Sequence, residues 1–234
     1  MKKLALMMSI VFVFALSADA AGPKTLTRTI EGGDIGFLKL DSGIGDITIT
    51  ANTDQKDIAI EVILTPRRGG FFSSKRQAER DVDAATLEAV VEKDRLSLWI
   101  ESSEDKEDRR FEEQWNITVP ARLKIRLDHD VGDIEVDGVV AGVELDSGVG
   151  DVAIEVPEGN VNVDLGVGTA VVRAPAMAYG AAEAAGGVGD ARLTVHGKKV
   201  DGGGFIAKAA SWTGDGSYRI QVSVGVGDAI IKLD

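Results

Sequence analysis

The chain has no cysteine and few aromatic side chains, and each shortage excludes a class of protein or site. Without cysteine there is no disulfide, no thiol catalysis, no cysteine-ligated metal and no lipid anchor on a cysteine. The core and the backbone hydrogen bonds must therefore hold the fold together. Aromatic residues are 5% of the chain, which argues against a sugar-stacking groove, since such grooves use aromatic rings.

Basic residues are also in the minority. The chain has 26 Lys and Arg against 38 Asp and Glu, which gives a net charge of −12. Such a chain repels phosphate backbones and anionic membrane surfaces, so we predict neither as a partner. The balance is compatible with bound cations, or with solubility alone.

The N-terminus has the pattern of a secretory signal. Lys2 and Lys3 precede an uncharged apolar run of 13 residues, 4–16, which is shorter than the roughly 20 residues of a membrane span. Small residues, Ala18 and Ala20, occupy the positions that a signal peptidase reads. We predict that residues 1–20 are removed, that no transmembrane span remains, and that the protein is extracytoplasmic, in the periplasm or at the cell surface. The alternative is an uncleaved anchor.

What the chain has in abundance is glycine, 28 residues, much of it in a recurring Gly-Val-Gly-Asp tetrapeptide. Copies or close variants begin at positions 43, 130, 148, 166, 187 and 225. Units of about 20 residues are too short for a strand–helix–strand crossover of roughly 30 residues. They predict coils of short strands, each stacked on the next.

The residues that flank each tetrapeptide alternate between apolar and polar, which predicts strands with one buried face. Val143 and Leu145 are in phase with Val149, whereas Val152 and Ile154 follow one position out of phase. This slip predicts a corner at the Gly-Asp pair, with the aliphatic side chains of both strands, Val149 included, pointing into one interior. Glycine suits the positive φ of a corner, and Asp can accept hydrogen bonds from backbone N–H groups there.

Residues 51–122 interrupt the repeat with strand-like segments and a helix-favouring stretch at 74–87. We predict a mostly β protein, a single parallel β-solenoid (β-helix) with an irregular N-terminal cap that contains at most one short helix. Residues 1–20 are then the signal peptide and 21–122 the cap with the first strands. Residues 123–234 form the repeat solenoid, continuous with the cap.

The order of these features resembles a known group of proteins. A Gly-Ile-Gly-Asp-Ile strand (43–47) is followed by a charged section, an Ile-Thr-Val-Pro-Ala strand (117–121) and serial Val-Gly-Asp-Ile-Glu-Val units. Over residues 25–234 the pattern is similar to the bacterial putative-adhesin family of β-strand-repeat proteins, a domain of unknown function. The resemblance implies an extracytoplasmic parallel β-helix and supplies no catalytic residue or cofactor.

Stacked corners would bring aspartates into a column along one edge: Asp133, Asp151, Asp190 and Asp228, with Asp46 beside them. At a spacing of about 4.8 Å, like charges repel, and Ca²⁺ between the carboxylates would relieve the repulsion. The alternative, which we favour, is that each Asp caps its own corner and faces water. We therefore predict no metal site.

The remaining candidates are His129, the serines before glycine and one basic patch. His129 has the phase of Ser42 and Ser147, so it should point inward as a structural residue. Neither serine lies in a Gly-x-Ser-x-Gly motif, and we predict no catalytic residue. The basic, aromatic patch is a candidate contact for an acidic partner, a glycan or a lipid headgroup, or else a loop that packs on the cap: Arg67, Arg68, Phe71 and Phe72.

These observations favour a non-enzymatic envelope or cell-surface protein, an adhesin-like scaffold or binding module for a protein or a glycan, without a cofactor. One alternative is a Ca²⁺-dependent structural module that uses the aspartate column. A polysaccharide-active β-helix enzyme is less favoured, because the outward positions are mainly Glu, Asp, Thr and Asn rather than basic.

Overall fold

The computed structural model describes residues 22–67, 75–103, 109–200 and 208–234. These ranges contain seventeen β-strands, one α-helix, α1 (Lys75–Ala84), and a 3-10 turn (Ala176–Ala178). The mostly β class and the single short α-helix are confirmed. None of the helices in these ranges has the length and apolar character needed to span a membrane.

The strands of the N-terminal half include both long and short elements. They are β1 (Lys24–Glu31), β2 (Phe37–Ile44), β3 (Ile47–Asn52), β4 (Asp57–Pro66), β5 (Thr86–Glu92), β6 (Arg95–Glu101) and β7 (Phe111–Pro120). The strands of the C-terminal half are β8 (Lys124–Val131), β9 (Ile134–Asp137), β10 (Val143–Val149), β11 (Val152–Glu155), β12 (Val161–Ala174), β13 (Tyr179–Val188), β14 (Ala191–Val195), β15 (Lys198–Val200), β16 (Lys208–Thr213) and β17 (Tyr218–Leu233).

The prediction of a single parallel β-solenoid is wrong. The strands form one nearly closed, barrel-like mixed sheet with antiparallel pairs. The antiparallel pairs are β1–β4, β4–β7, β5–β6, β13–β16 and β14–β15. Two of them are hairpins with tight turns, where Lys93 (φ 59°) and His196 (φ 48°) adopt the positive φ that such turns use.

The tetrapeptide copies nevertheless pair side by side in parallel. We call each copy with its two flanking strand segments a rung. Val149 of β10 pairs with Val131 of β8 on one side and with Val167 of β12 on the other. The rungs do not follow chain order, because β17 lies between β12 and β13. The N-terminal half joins the same stack, since β2 pairs with β8 and β3 pairs with β9.

The core is a set of aliphatic rows that run from rung to rung. One row pairs in register and is at most 2% exposed: Leu38, Ile125, Val143, Val161 and Ile220. Each such side chain contributes about 1.5–3 kcal/mol when fully buried. Because neighbouring rungs share every row, a rung buries its apolar face only when both neighbours are present.

The helix α1 closes the N-terminal end of the stack. Its apolar face is buried against the core, with Ala78 at 2% and Val82 at 1% exposure. The Lys24 ammonium of β1 donates hydrogen bonds to the carbonyls of Asp83 and Ala85, each at 2.8 Å. This cation occupies the C-terminal end of the helix, where the carbonyls lack intrahelical partners.

The corners depend on a very close approach between backbones. A Cβ placed on Gly150 would lie 1.9 Å from the carbonyl oxygen of Gly132. The φ of Gly150 is also positive, at 149°, and its N–H donates to the Val167 carbonyl at 3.0 Å. Only glycine satisfies both the space and the dihedral angle at this position.

We expect Gly150→Ala to lower the free energy of unfolding by roughly 3 kcal/mol or more, because a methyl group there would force two rungs apart. Urea denaturation measures the loss. Gly33→Ala is the matched control, since its Cβ site has no atom within 4 Å. Equal denaturation midpoints for the two variants would contradict the close-approach argument.

Candidate functional site

The valines of the tetrapeptides lie on the outside of the corners, contrary to the interior position predicted for Val149. The inward alternation ends at Ser147 instead of Val149, two residues earlier than the sequence phase suggests. Ser147 is the last inward side chain, at 3% exposure, and Val149 is 45% exposed. The inward phase resumes at Val152, which is 1% exposed.

These outward side chains form one continuous row, because the same position pairs in every rung. We call the row the valine ridge; in spatial order it is Ile44, Val131, Val149, Val167, Val226 and Val188. The valines are 40–64% exposed. A contiguous row of exposed apolar side chains is typical of an interaction surface.

The glycines beside the ridge explain its exposure. A Cβ on Gly148 would lie 2.5 Å from the Asp130 carbonyl oxygen, and one on Gly168 would lie 1.8 Å from that of Gly150. Where glycine stands on both sides of a valine, as at Val149 and Val167, neither position can carry a side chain that would cover it. Close packing of the rungs and exposure of the valines have the same cause.

The aspartates of the tetrapeptides form a ladder on one flank of the ridge. The Oδ1 atoms of Asp46, Asp133 and Asp151 accept hydrogen bonds from the backbone N–H groups of Asp133, Asp151 and Thr169, at 3.1, 2.9 and 2.9 Å. Asp228 accepts from the N–H of Asp190 at 3.0 Å. Each carboxylate thus joins its rung to the next, rather than capping its own corner.

Cations of the chain itself occupy one end of this ladder. The Arg192 guanidinium lies 2.8 Å from a carboxylate oxygen of Asp190 and 3.1 Å from one of Asp228, and Lys208 also pairs with Asp190. At the other end, no ion pair joins Asp46, Asp133 or Asp151 to any other described residue.

The calcium alternative for Asp133, Asp151, Asp190 and Asp228 stays a prediction. Within the described ranges, no group of three or more Asp, Glu or His side chains is arranged to hold an ion. Two of the four carboxylates already face Arg192. The geometry therefore gives the ladder a hydrogen-bonding role between rungs.

A groove of about 390 Å³ runs beside the end of the ladder that has no ion pairs. Its lining includes Asp46, Asp133 and Asp151 of the ladder and the outward side chains Glu135 and Ala153 of β9 and β11. The groove is therefore acidic and partly apolar.

A second row of aspartates, which sequence reasoning missed, lies on the opposite flank of the ridge. Asp41, Asp128, Asp146 and Asp164 pair in register on β2, β8, β10 and β12. Each precedes its ridge residue by three positions, so the signal was present in four of the six copies; Ser223 and Ala185 stand there before Val226 and Val188. Carboxylates thus border the ridge on both sides in the rungs of Ile44, Val131 and Val149.

Beneath the ridge lies a row of buried polar side chains. Ser42, His129 and Ser147 pair in register and are 0%, 2% and 3% exposed. The Ser42 hydroxyl donates to the Glu113 carboxylate at 3.0 Å, and Arg109 lies 3.2 Å from the same carboxylate. The inward position of His129 was predicted, whereas the contact with Glu113 was not. These side chains are buried at the corner, where they are part of its packing.

The other predicted features lie largely outside the described residues. That applies to Arg68, Phe71 and Phe72 of the basic patch and to the signal at 1–20. Arg67 is described, and its backbone N–H donates to the Arg110 carbonyl at 2.7 Å.

Comparison with known proteins shows a likeness of fold. No family model and no curated protein sequence matches the chain. The structure of a putative cell adhesion protein from Clostridium sporogenes has a TM-score of 0.59 and 20% identity, covering 91% of this chain and 100% of that one. A putative adhesin from Bacteroides fragilis is 15% identical with a TM-score of 0.34, covering 90% and 97%. A putative lipid binding protein from Parabacteroides distasonis is 12% identical with a TM-score of 0.28, covering 91% and 97%.

The ion pairs of Asp190 with Lys208 and Arg192 predict how this end of the ladder contributes to stability as the pH changes. Hydrogen bonds from Lys208 and then Arg192 lower the pKa of the Asp190 carboxyl to about 2. Since this is below the unfolded value of about 3.9, the stabilisation is complete above about pH 4 and is lost as the pH falls towards 2. We expect Lys208→Gln to raise the pKa of Asp190 towards its usual range, as followed by NMR of the carboxyl carbon. Lys39→Gln, on a distant rung, is the control, and an equal effect of both variants would refute the assignment.

Proposed function

We propose that this protein is an exported, adhesin-like binding module that catalyses no reaction, and that its ligand docks on the valine ridge. The observation that carries the proposal is the ridge itself, in which five exposed valines and the half-buried Ile44 pair in register along the stack.

The stack does not require aliphatic side chains at these positions. The rungs are joined there by backbone hydrogen bonds, such as Gly132 N–H to the Val149 carbonyl at 2.9 Å. Strand propensity favours valine, but threonine serves a half-exposed strand position nearly as well. All six rungs carry an apolar side chain and none carries threonine at this position. This favours a surface that contacts a binding partner.

The rigidity of this surface also supports a binding role. The ridge stands on a backbone held from both sides by neighbouring rungs, so little conformational entropy is lost when a partner binds. The fold likeness to a protein described as a putative cell adhesion protein supports the same proposal. The non-enzymatic part is supported by the polar row beneath the ridge, whose serine and histidine side chains are buried.

Export is proposed from the first twenty residues alone. We expect the chain expressed in a bacterial host to be recovered from the periplasmic or secreted fraction with Ala21 at its N-terminus, as determined by N-terminal sequencing. Ala20→Arg should block the cleavage, because the peptidase reads small residues there. Recovery of the wild-type chain in the cytoplasm with residues 1–20 intact would contradict the proposal.

Ligand docking on the ridge is tested with isolated bacterial envelope components: peptidoglycan, lipopolysaccharide, envelope protein fractions and a glycan array. We expect at least one to retain the protein, and Val149→Ser with Val167→Ser to weaken retention by about tenfold or more, because two exposed apolar contacts are lost. Val90→Ser with Val91→Ser is the matched control, since these β5 side chains are also exposed, at 39% and 50%. No retention at all, or equal retention by both double variants, counts against the proposal.

A further inference from the structure

We propose that the valine ridge and the acidic groove beside it bind a cationic amphipathic peptide segment, with its apolar side chains on the ridge and its Lys or Arg side chains on the Asp46, Asp133 and Asp151 carboxylates. The inference rests on the proposed binding function and names the chemistry of the partner.

One end of the aspartate ladder already holds cationic side chains of the protein itself. Arg192 and Lys208 lie on Asp190 and Asp228, the last two rungs. The carboxylates of Asp46, Asp133 and Asp151 stand at the equivalent position of earlier rungs and use Oδ1 for the same rung-to-rung hydrogen bond. No ion pair joins these three to another described residue, so their remaining oxygens face the groove as acceptors for cations supplied from outside.

Apolar and acidic rows lie side by side along the stack. The ridge has the aspartate ladder on one flank and the row of Asp128, Asp146 and Asp164 on the other. A complementary partner therefore has an apolar strip with positive charge along both of its borders. An amphipathic helix with Leu on one face and Lys or Arg beside it has this pattern.

The length of the ridge matches that of a short helix. Six rungs at a spacing of about 4.8 Å give a ridge of about 24 Å. A helix of about 16 residues has the same length, at a rise of about 1.5 Å per residue. A single peptide segment can therefore cover the whole ridge.

The same charges disfavour the other occupants of an apolar ridge. An anionic membrane surface would face carboxylates on both flanks and a protein of net charge −12. A second copy would place the same acidic rows against each other. A cationic amphipathic peptide makes favourable contacts with both the apolar ridge and the carboxylates.

The probe is a fluorescein-labelled Leu/Lys peptide of about 16 residues that forms an amphipathic helix. Fluorescence anisotropy with the full chain should show saturable binding that weakens with added salt. Two peptides are run as controls: oligolysine of the same length, which lacks the apolar face, and the same helix with Glu in place of Lys. Both should bind at least about tenfold more weakly.

Two double variants locate the site. Asp133→Asn with Asp151→Asn keeps an oxygen for each rung-to-rung hydrogen bond and removes two charges, and we expect binding to weaken by about tenfold. Asp54→Asn with Asp215→Asn removes the same charge elsewhere and should change binding by less than about twofold. Val149→Ser with Val167→Ser should weaken binding by about tenfold, whereas Val90→Ser with Val91→Ser should not. Circular dichroism and melting verify that each variant is folded.

Several results would overturn the proposal. These are equal weakening by the two charge variants, binding of oligolysine as tight as that of the amphipathic peptide, and an unchanged affinity in the Val149/Val167 variant. Ridge-dependent binding to phosphatidylglycerol vesicles, or ridge-dependent self-association in analytical ultracentrifugation, without peptide binding would assign the ridge to a membrane or to a second copy. Retention by an envelope component that the peptide does not compete away would overturn this inference and leave the proposed function standing.

Discussion

Close backbone contact at the glycine corners is the constraint on which the rest of this structure depends. In the C-terminal half, a Cβ on the second glycine of each tetrapeptide would clash with a glycine carbonyl oxygen of the neighbouring rung, and one on Gly45 would clash with the carbonyl of Glu113 in β7. These contacts bring the strands of neighbouring rungs into register, and the register builds the aliphatic rows of the core. A side chain at one corner would therefore disturb two rungs rather than one loop.

The surface chemistry is a direct result of the same constraint. Glycine follows each ridge valine and also precedes each of them except Val131, so the valines project from the corner uncovered. Because the corners stack, single exposed valines become a ridge. The aspartate that follows uses one oxygen to join the rungs and keeps the other at the surface. The structural role and the proposed recognition role thus share one tetrapeptide, so a short motif both stabilises the stack and shapes its surface.

Much of the local structure could be predicted from the sequence, since it depends on neighbouring residues. The strands, the single helix and the inward position of His129 all follow from apolar spacing. The interior position predicted for Val149 was wrong, because the alternation of apolar and polar residues cannot show at which residue the backbone begins to turn. Antiparallel pairing and the Ser42–Glu113 contact were missed because they join segments far apart in the chain. The groove could not be predicted either, because it exists only once several rungs are stacked.

The position of β17 has a consequence for how the molecule is assembled. This strand pairs along its length with β12 on one side and with β13 and β14 on the other. The segments that form β13 and β14 precede β17 in the chain, yet β17 inserts between them and β12. A chain emerging from its N-terminal side can therefore stack its rungs only as far as β12 until the segment of β17 is available. Strands β13 and β14 thus dock later than their place in the chain suggests, and they can mispair until β17 is in position.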